Sequence, residues 1–110
     1  MRKLFILMSI FSTLFGCGKK STTTYPQAAI AAADGSQITF TFYAHASLGI
    51  AWNGLQLYVD PVGEFDWDSQ PKADLILVTH SHYDHFEVAT IERLQKSGTV
   101  ILCDKTSAEA

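Results

Sequence analysis

The chain has 110 residues, of which 47% are hydrophobic and 17% are charged. This is the composition of an ordinary globular protein, and the length leaves room for one domain. The formal net charge is −3, and it would fall to −5 without Arg2 and Lys3. A negative net charge disfavours non-specific nucleic-acid binding, which depends on basic patches.

Residues 1–16 have the pattern of a targeting segment. Arg2 and Lys3 form a positive start, and residues 4–15 form an apolar stretch too short to span a bilayer comfortably. Residues 14–17 (Leu-Phe-Gly-Cys) resemble a bacterial lipobox, which implies cleavage before Cys17 and lipid attachment there. We therefore expect a lipid-anchored protein of the bacterial cell envelope that faces away from the cytoplasm. An ordinary secretory signal or a membrane helix is the alternative.

Residues 17–35 are rich in Lys, Ser, Thr and Ala, which predicts a flexible tether and places the domain at residues 36–110. The second cysteine, Cys103, lies in an apolar run. If Cys17 is lipidated, Cys103 has no disulfide partner, and we expect a buried and inert thiol.

The domain opens with strand patterns. Residues 37–43 alternate between polar and apolar, which predicts a half-buried strand with one apolar face made of Ile38, Phe40 and Phe42. Residues 48–52 and 55–59 flank Asn53-Gly54, a strong signal for a hairpin with a type I′ turn. Residues 62–72 mix acids with Phe65 and Trp67, which predicts a solvated loop whose aromatic side chains could line a substrate site.

The densest cluster of side chains that can bind a ligand or act in catalysis is formed by His80, His82, Asp84 and His85. The preceding residues, 73–79, are apolar and β-branched, so they predict a buried strand. Ligand sites of open α/β sheets lie at such strand ends, and His80 and His82 would point to the same side of an extended segment. Imidazole and carboxylate are ligands for Zn²⁺, Mn²⁺ and Fe²⁺. Packing alone explains this density poorly, because histidine has only an intermediate tendency to be buried.

The remaining residues predict helix, strand and helix. Residues 86–96 carry Val88, Ile91 and Leu94 at helical spacing, which indicates one buried stripe. Gly98 would end this helix. Residues 99–103 predict a strand, and residues 104–109 predict the start of another helix.

The motif His80-x-His82-x-Asp84-His85, after an apolar strand that ends in Thr79, resembles the signature of the metallo-β-lactamase-fold hydrolases. The resemblance implies an α+β fold that forms the N-terminal half of an αβ/βα sandwich. It also implies two divalent metal ions, Zn or Mn, one held by His80 and His82 and the other by Asp84 and His85. Water or hydroxide between the ions would attack an ester, lactone, amide or phosphodiester, with Asp84 as the catalytic carboxylate that orients it.

Two further residues carry a finer resemblance. Residues 44–47 (Ala-His-Ala-Ser), the hairpin, Asp60-Pro61 and the histidine cluster follow one another as in the branch that contains L-ascorbate-6-phosphate lactonase and related lipid phosphodiesterases. This implies that His45 lines the active-site mouth and contacts a small-molecule substrate, such as a phosphorylated one; a surface-loop histidine is the alternative. Asp60 is expected to hold a metal-ligating histidine by its second ring nitrogen, or else merely to start a turn.

The function predicted from these residues is a metal-dependent hydrolase, and the alternative is a non-catalytic metal-binding lipoprotein. Full members of the resembled family continue well beyond the equivalent of residue 110 and supply further metal ligands there. We therefore expect a domain truncated at its C-terminus, and weak or no activity from this chain alone, because zinc sites normally have three or four protein ligands.

Overall fold

The computed structural model describes residues 23–110. Its centre is a six-stranded sheet in which the strands lie side by side in chain order. The strands are β1 (Gln27–Ala31), β2 (Gln37–Phe42), β3 (Leu48–Trp52), β4 (Leu55–Val59), β5 (Leu75–Leu77) and β6 (Val100–Leu102). Strands β1 to β4 pair antiparallel, whereas β4, β5 and β6 pair parallel. A 3₁₀ turn (Trp67–Ser69), α1 (Val88–Leu94) and α2 (Lys105–Ala108) complete the described elements.

The hairpin of β3 and β4 confirms the predicted turn. Asn53 and Gly54 have φ angles of 48° and 77°, both in the left-handed region that a type I′ turn requires. Trp52 pairs with Leu55 across the turn. The predicted strands 37–43, 73–79 and 99–103 are also present, each one or more residues shorter than expected.

Strand β1 lies inside the segment predicted to be a tether, so that prediction is wrong for Gln27–Ala31. The strand pairs with β2 over its whole length, from Gln27 opposite Thr41 to Ala31 opposite Gln37. All five of its residues are exposed at the sheet edge. Three of the five residues are alanine, so the segment has no apolar alternation, and backbone pairing with β2 makes it a strand. The predicted signal segment 1–16, Cys17 and the tether up to residue 22 lie outside the described residues.

The core lies against one face of the sheet. Tyr58 of β4 and Ile76 of β5 supply its sheet side, while Trp67, Ile91 and Leu94 pack onto them, and each of these residues is at most 6% exposed. Prediction of a solvated loop was therefore wrong for Trp67, which cannot line an open substrate site. Its Nε1 donates to the Gly63 carbonyl at 2.7 Å, because the 3₁₀ turn carries the indole inward.

The other face of the sheet is apolar and largely uncovered. Directly paired residues share a face, so the strand registers place apolar residues in rows across the sheet. The most exposed of these side chains are Ile30, Phe42, Trp52, Leu55, Val100 and Leu102, at 39–59%. We call this surface the open face and the other the covered face.

Helix α1 is shorter than the predicted helix 86–96, and α2 lies within the predicted helical segment 104–109. Ile91 and Leu94 of α1 are buried as expected, but Val88 is 44% exposed and Thr90 is buried in its place. Asp104 caps α2 by accepting from the Ser107 backbone N–H at 3.2 Å. Cys103 is half-buried beside the core. Within residues 23–110, no helix is both long and apolar enough to cross a bilayer.

Candidate metal centre

Four strands of the sheet run in one direction, and their carboxyl ends define one edge. Because β3 is antiparallel to β2 and β4, and β4 to β6 are parallel, β2, β4, β5 and β6 all end there. His45 follows β2, Asp60 follows β4, and His80 follows β5. Strand direction therefore gathers candidate residues that are far apart in the sequence.

The loop after β5 folds back on itself. The carbonyl of His82 accepts hydrogen bonds from the backbone N–H groups of His85 and Phe86, both at 2.9 Å. This turn brings the His85 ring to 4.0 Å from the His80 ring, centroid to centroid. The His80 and His82 rings lie 4.5 Å apart. Three of the four predicted metal ligands are thus clustered by a single turn.

Asp60 is the buried anchor of this region. The residue is 1% exposed and has a φ of 45°, which is unusual for a residue other than glycine. Its N–H donates to the Leu77 carbonyl at 2.8 Å, and its carbonyl accepts from the Ser47 hydroxyl at 2.7 Å. These bonds fix Asp60 between the start of β3 and the end of β5.

The Asp60 carboxylate orients two histidines. It accepts from the Thr79 N–H at 2.7 Å, the Thr79 hydroxyl at 2.6 Å and His85 Nδ1 at 2.7 Å. His85 therefore carries its proton on Nδ1 and leaves the Nε2 lone pair free. Because the Thr79 hydroxyl donates to Asp60, its oxygen accepts from His80 Nδ1 at 2.9 Å, and His80 likewise presents Nε2.

Electrostatics keeps both carboxylates of the site ionised. Burial raises the pKa of Asp60, but hydrogen bonds from Thr79 and His85 outweigh it and lower that pKa below its ordinary value. At Asp84, partial desolvation is likewise outweighed by its own backbone N–H, His85 and His45, so the pKa of Asp84 is lowered too. An ionised carboxylate is the form that binds a cation.

His45 lies against Asp84. Its Nε2 is 3.0 Å from Asp84 Oδ2, and His85 Nε2 is 3.7 Å from the same oxygen. The donor atoms of His45, Asp84 and His85 all lie within 4.8 Å of one another, and among residues 23–110 they form the one group of three or more possible metal donors. The His45 side chain is 60% exposed, so it lies at the rim of the site.

The structure places the side chains of Asp84 and His85 beside each other and brings His45 to them. The sequence predicted contact with substrate for His45. His80 and His82 are neighbours, but within the described part of the chain no third donor joins them. The sequence analysis also missed Thr79 as the link between Asp60 and His80. Its place directly after a strand and directly before the first histidine was the available signal.

The donors suit a divalent cation. They are imidazole Nε2 atoms and one ionised carboxylate, the set that Zn²⁺ and similar ions prefer. Where the second ring nitrogen is bonded, at His85 and His80, the partner is a carboxylate or a hydroxyl, as at known metal sites. Every buried side-chain nitrogen and oxygen in the described region has a hydrogen-bond partner, so the site adds no unsatisfied group.

Comparison with known proteins gives a consistent result. The family described as beta-lactamase superfamily domain matches residues 39–108. A UPF0173 metal-dependent hydrolase from Flavobacterium johnsoniae is 38% identical over 69 residues, which cover 56% of this chain and 29% of the relative. A protein of the same name from Nitratidesulfovibrio vulgaris is 32% identical over 73 residues, covering 61% and 30%.

A solved structure is also similar. The crystal structure of a provisionally named metal-dependent hydrolase from Parabacteroides distasonis superposes with a TM-score of 0.75 at 35% identity, covering 77% of this chain and 39% of the other. The chain thus spans less than a third of the two curated relatives and well under half of the solved one. The matched region holds β3 to β6 and the whole histidine loop. The chain belongs to the β-lactamase superfamily, and it forms the N-terminal half of that family's αβ/βα sandwich.

Proposed function

We propose that the chain carries the metal-binding half of a hydrolase that uses two divalent ions, Zn or Mn, to activate water against an ester, lactone or phosphodiester. The observation that carries the proposal is the Asp60 carboxylate, which is bonded to His85 directly and to His80 through Thr79. A buried carboxylate that sets the tautomer of two neighbouring imidazoles is the arrangement that metal-ligating histidines require. The names of the relatives support the same reaction class.

The residues of the candidate site would have separate roles in this reaction. His80 and His82 would hold one ion, and Asp84 and His85 the other. A bound divalent cation supplies Lewis acidity and lowers the pKa of water. The Asp84 carboxylate, 36% exposed at the rim, would also orient the attacking water. Asp60, buried beneath the histidines, would hold their rings in place without touching substrate.

The substrate proposed is a small phosphorylated lactone or a phosphodiester. This rests on the order of the His45 segment, the Asn53-Gly54 hairpin and Asp60-Pro61, which resembles the L-ascorbate-6-phosphate lactonase branch. The matched relatives are much longer, so we propose weak turnover for this chain by itself, with fewer than three protein donors available at His80 and His82 among the described residues.

Attachment to a membrane through lipid on Cys17, in the bacterial envelope and outside the cytoplasm, is the remaining part of the proposal. It is tested by labelling cells with a radioactive fatty acid. Label on the chain that is absent from Cys17→Ser supports it, and equal labelling of both chains, or none, contradicts it.

The central experiment measures metal content by inductively coupled plasma mass spectrometry. The full chain, purified in mild detergent, is compared with His82→Ala and with Tyr83→Phe, whose ring is 91% exposed in the same loop and serves as the matched control. We expect metal in the parent and in Tyr83→Phe, with loss in His82→Ala. Slow hydrolysis of a chromogenic phosphodiester or lactone should follow the metal content. No bound metal in the parent would overturn the proposal; bound metal without any hydrolysis would favour a non-catalytic metal-binding protein.

A further inference from the structure

We infer that His45 is itself a metal ligand, which shares one ion with Asp84 and His85. This inference deepens the proposed function and rests on it, since it concerns the same centre. It differs in the ligand set: the ion of Asp84 and His85 takes its third protein donor from the loop after β2, within this chain.

The distances between the donor atoms are compatible with a single shared ion. Two donors of a tetrahedral zinc ion lie roughly 3.3 Å apart, given zinc–nitrogen and zinc–oxygen distances of about 2.0–2.1 Å. Asp84 Oδ2 lies 3.0 Å from His45 Nε2 and 3.7 Å from His85 Nε2. His85 Nδ1 is bonded to Asp60, so its Nε2 carries the free lone pair on the side of Asp84.

The loop after β2 holds His45 in a left-handed backbone conformation. Its φ is 53°, in a region that is uncommon for residues other than glycine but that histidine enters more often than most. Hydrogen bonds from Tyr43 N–H to the Ser47 carbonyl and from Ser47 N–H to the Ala44 carbonyl close the turn around it. These bonds fix the backbone that carries His45.

Ser47 ties this turn to the anchor of the site. The residue is 4% exposed, its hydroxyl donates to the Asp60 carbonyl at 2.7 Å, and the same oxygen accepts from the Val62 N–H at 3.2 Å. The turn that presents His45 and the carboxylate that orients His85 are therefore fixed to one another. Such rigid support is what a metal ligand on a loop needs.

Two imidazoles and one carboxylate are a donor set found at catalytic zinc sites, which keep a further position for water or substrate. The chain would thus supply one three-donor site from its own residues. The ion at that site would lie at the exposed rim beside His45, within reach of substrate.

The test measures Co²⁺ and Zn²⁺ affinity, with the visible absorption of bound Co²⁺ as a report on its ligands. His45→Gly removes the imidazole and suits the left-handed backbone. Asn53→Gly is the matched control, because it makes the same kind of change at a φ of 48° in an exposed turn away from the site. We expect His45→Gly to weaken binding by more than about 100-fold, since loss of mere outer partners already costs about 10–100-fold. Asn53→Gly should bind as the parent does.

Free imidazole gives a second readout. Added to His45→Gly, it should restore the parent absorption of bound Co²⁺ by occupying the vacated position. Parent-like affinity and spectrum in His45→Gly, together with loss of binding in His85→Ala, would overturn the role of His45 and leave the proposed function intact. Absence of metal binding in the parent chain would overturn both.

Discussion

Both faces of the sheet carry large apolar side chains, but these side chains have opposite surroundings. On the covered face, Tyr58 and Ile76 are fully buried beneath Trp67 and α1. On the open face, Trp52, Leu55 and Leu102 are 39–59% exposed although they are as apolar as the core. In an αβ/βα sandwich, helices cover one face of each sheet and the other sheet covers the second. The covered face is therefore built locally, whereas the open face has the character of an unpartnered interior.

This difference teaches that apolar composition does not report burial. The stability of residues 23–110 should depend on the covered face, and the chemistry depends on the edge where β2, β4 and β5 end. Four predictions test this division, in order of expected effect.

The largest effect is expected from comparing the two tryptophans. Trp67→Ala should lower the free energy of unfolding by about 3–5 kcal/mol, because it empties a filled core position. Trp52→Ala removes the same side chain from the open face and should cost about 1 kcal/mol or less. Urea unfolding followed by circular dichroism measures both. Equal costs would show that the open face is packed in solution.

Asp60→Asn tests whether the contacts that stabilise the covered face extend to the candidate metal centre. The substitution replaces a charged acceptor of three hydrogen bonds by an amide that keeps one acceptor oxygen. Because a hydrogen bond to a charged group is worth about 1.5–3 kcal/mol and only part of the three bonds is lost, we expect the free energy of unfolding to fall by about 2–3 kcal/mol. Metal affinity should also fall by about 10–100-fold, because the tautomers of His85 and His80 lose their restraint. Asp68→Asn, on an exposed carboxylate paired with Arg93, is the control in the same denaturation and metal titrations. Unchanged metal affinity in Asp60→Asn would contradict the role of Asp60.

Charged side chains placed on the open face should change the free energy of unfolding only slightly. Leu55→Lys and Leu102→Lys keep their long apolar stems on the sheet, and we expect changes within about 0.5–1 kcal/mol, as for surface substitutions. Binding of an apolar fluorescent dye should decrease, because the exposed apolar surface shrinks. A collapse of stability with no change in dye binding would contradict the assignment of this face as open.

The smallest effect is expected on the stability of the fold at acidic pH. The side-chain hydrogen bond from Lys96, followed by the Gln56 N–H, lowers the pKa of Asp74 in the folded chain. A carboxyl whose folded pKa is depressed stabilises the fold above its unfolded pKa, about 3.9, and loses that contribution as the pH falls further. Asp74→Asn should therefore flatten the loss of unfolding free energy below about pH 4. Parallel pH profiles for the parent and the variant would contradict this.

The sequence by itself determined the features that depend on neighbours in the chain. The Asn53-Gly54 turn needs only two residues that tolerate positive φ, and β5 needs only a short apolar run. The clustering of His80, His82, Asp84 and His85 is likewise local. The family and the α+β fold followed from these residues, and both agree with the comparisons.

Only the tertiary structure decided which surfaces and side chains meet. The apolar face of Ile38, Phe40 and Phe42 predicted a strand, but those residues point to the open face and the helices cover the other. Strand β1 exists through pairing alone, and Trp67 is buried because a 3₁₀ turn carries it inward. His45 reaches Asp84 because parallel strand directions bring distant strand ends to one edge. Each of these outcomes depends on contacts between residues far apart in the chain, which local patterns do not encode.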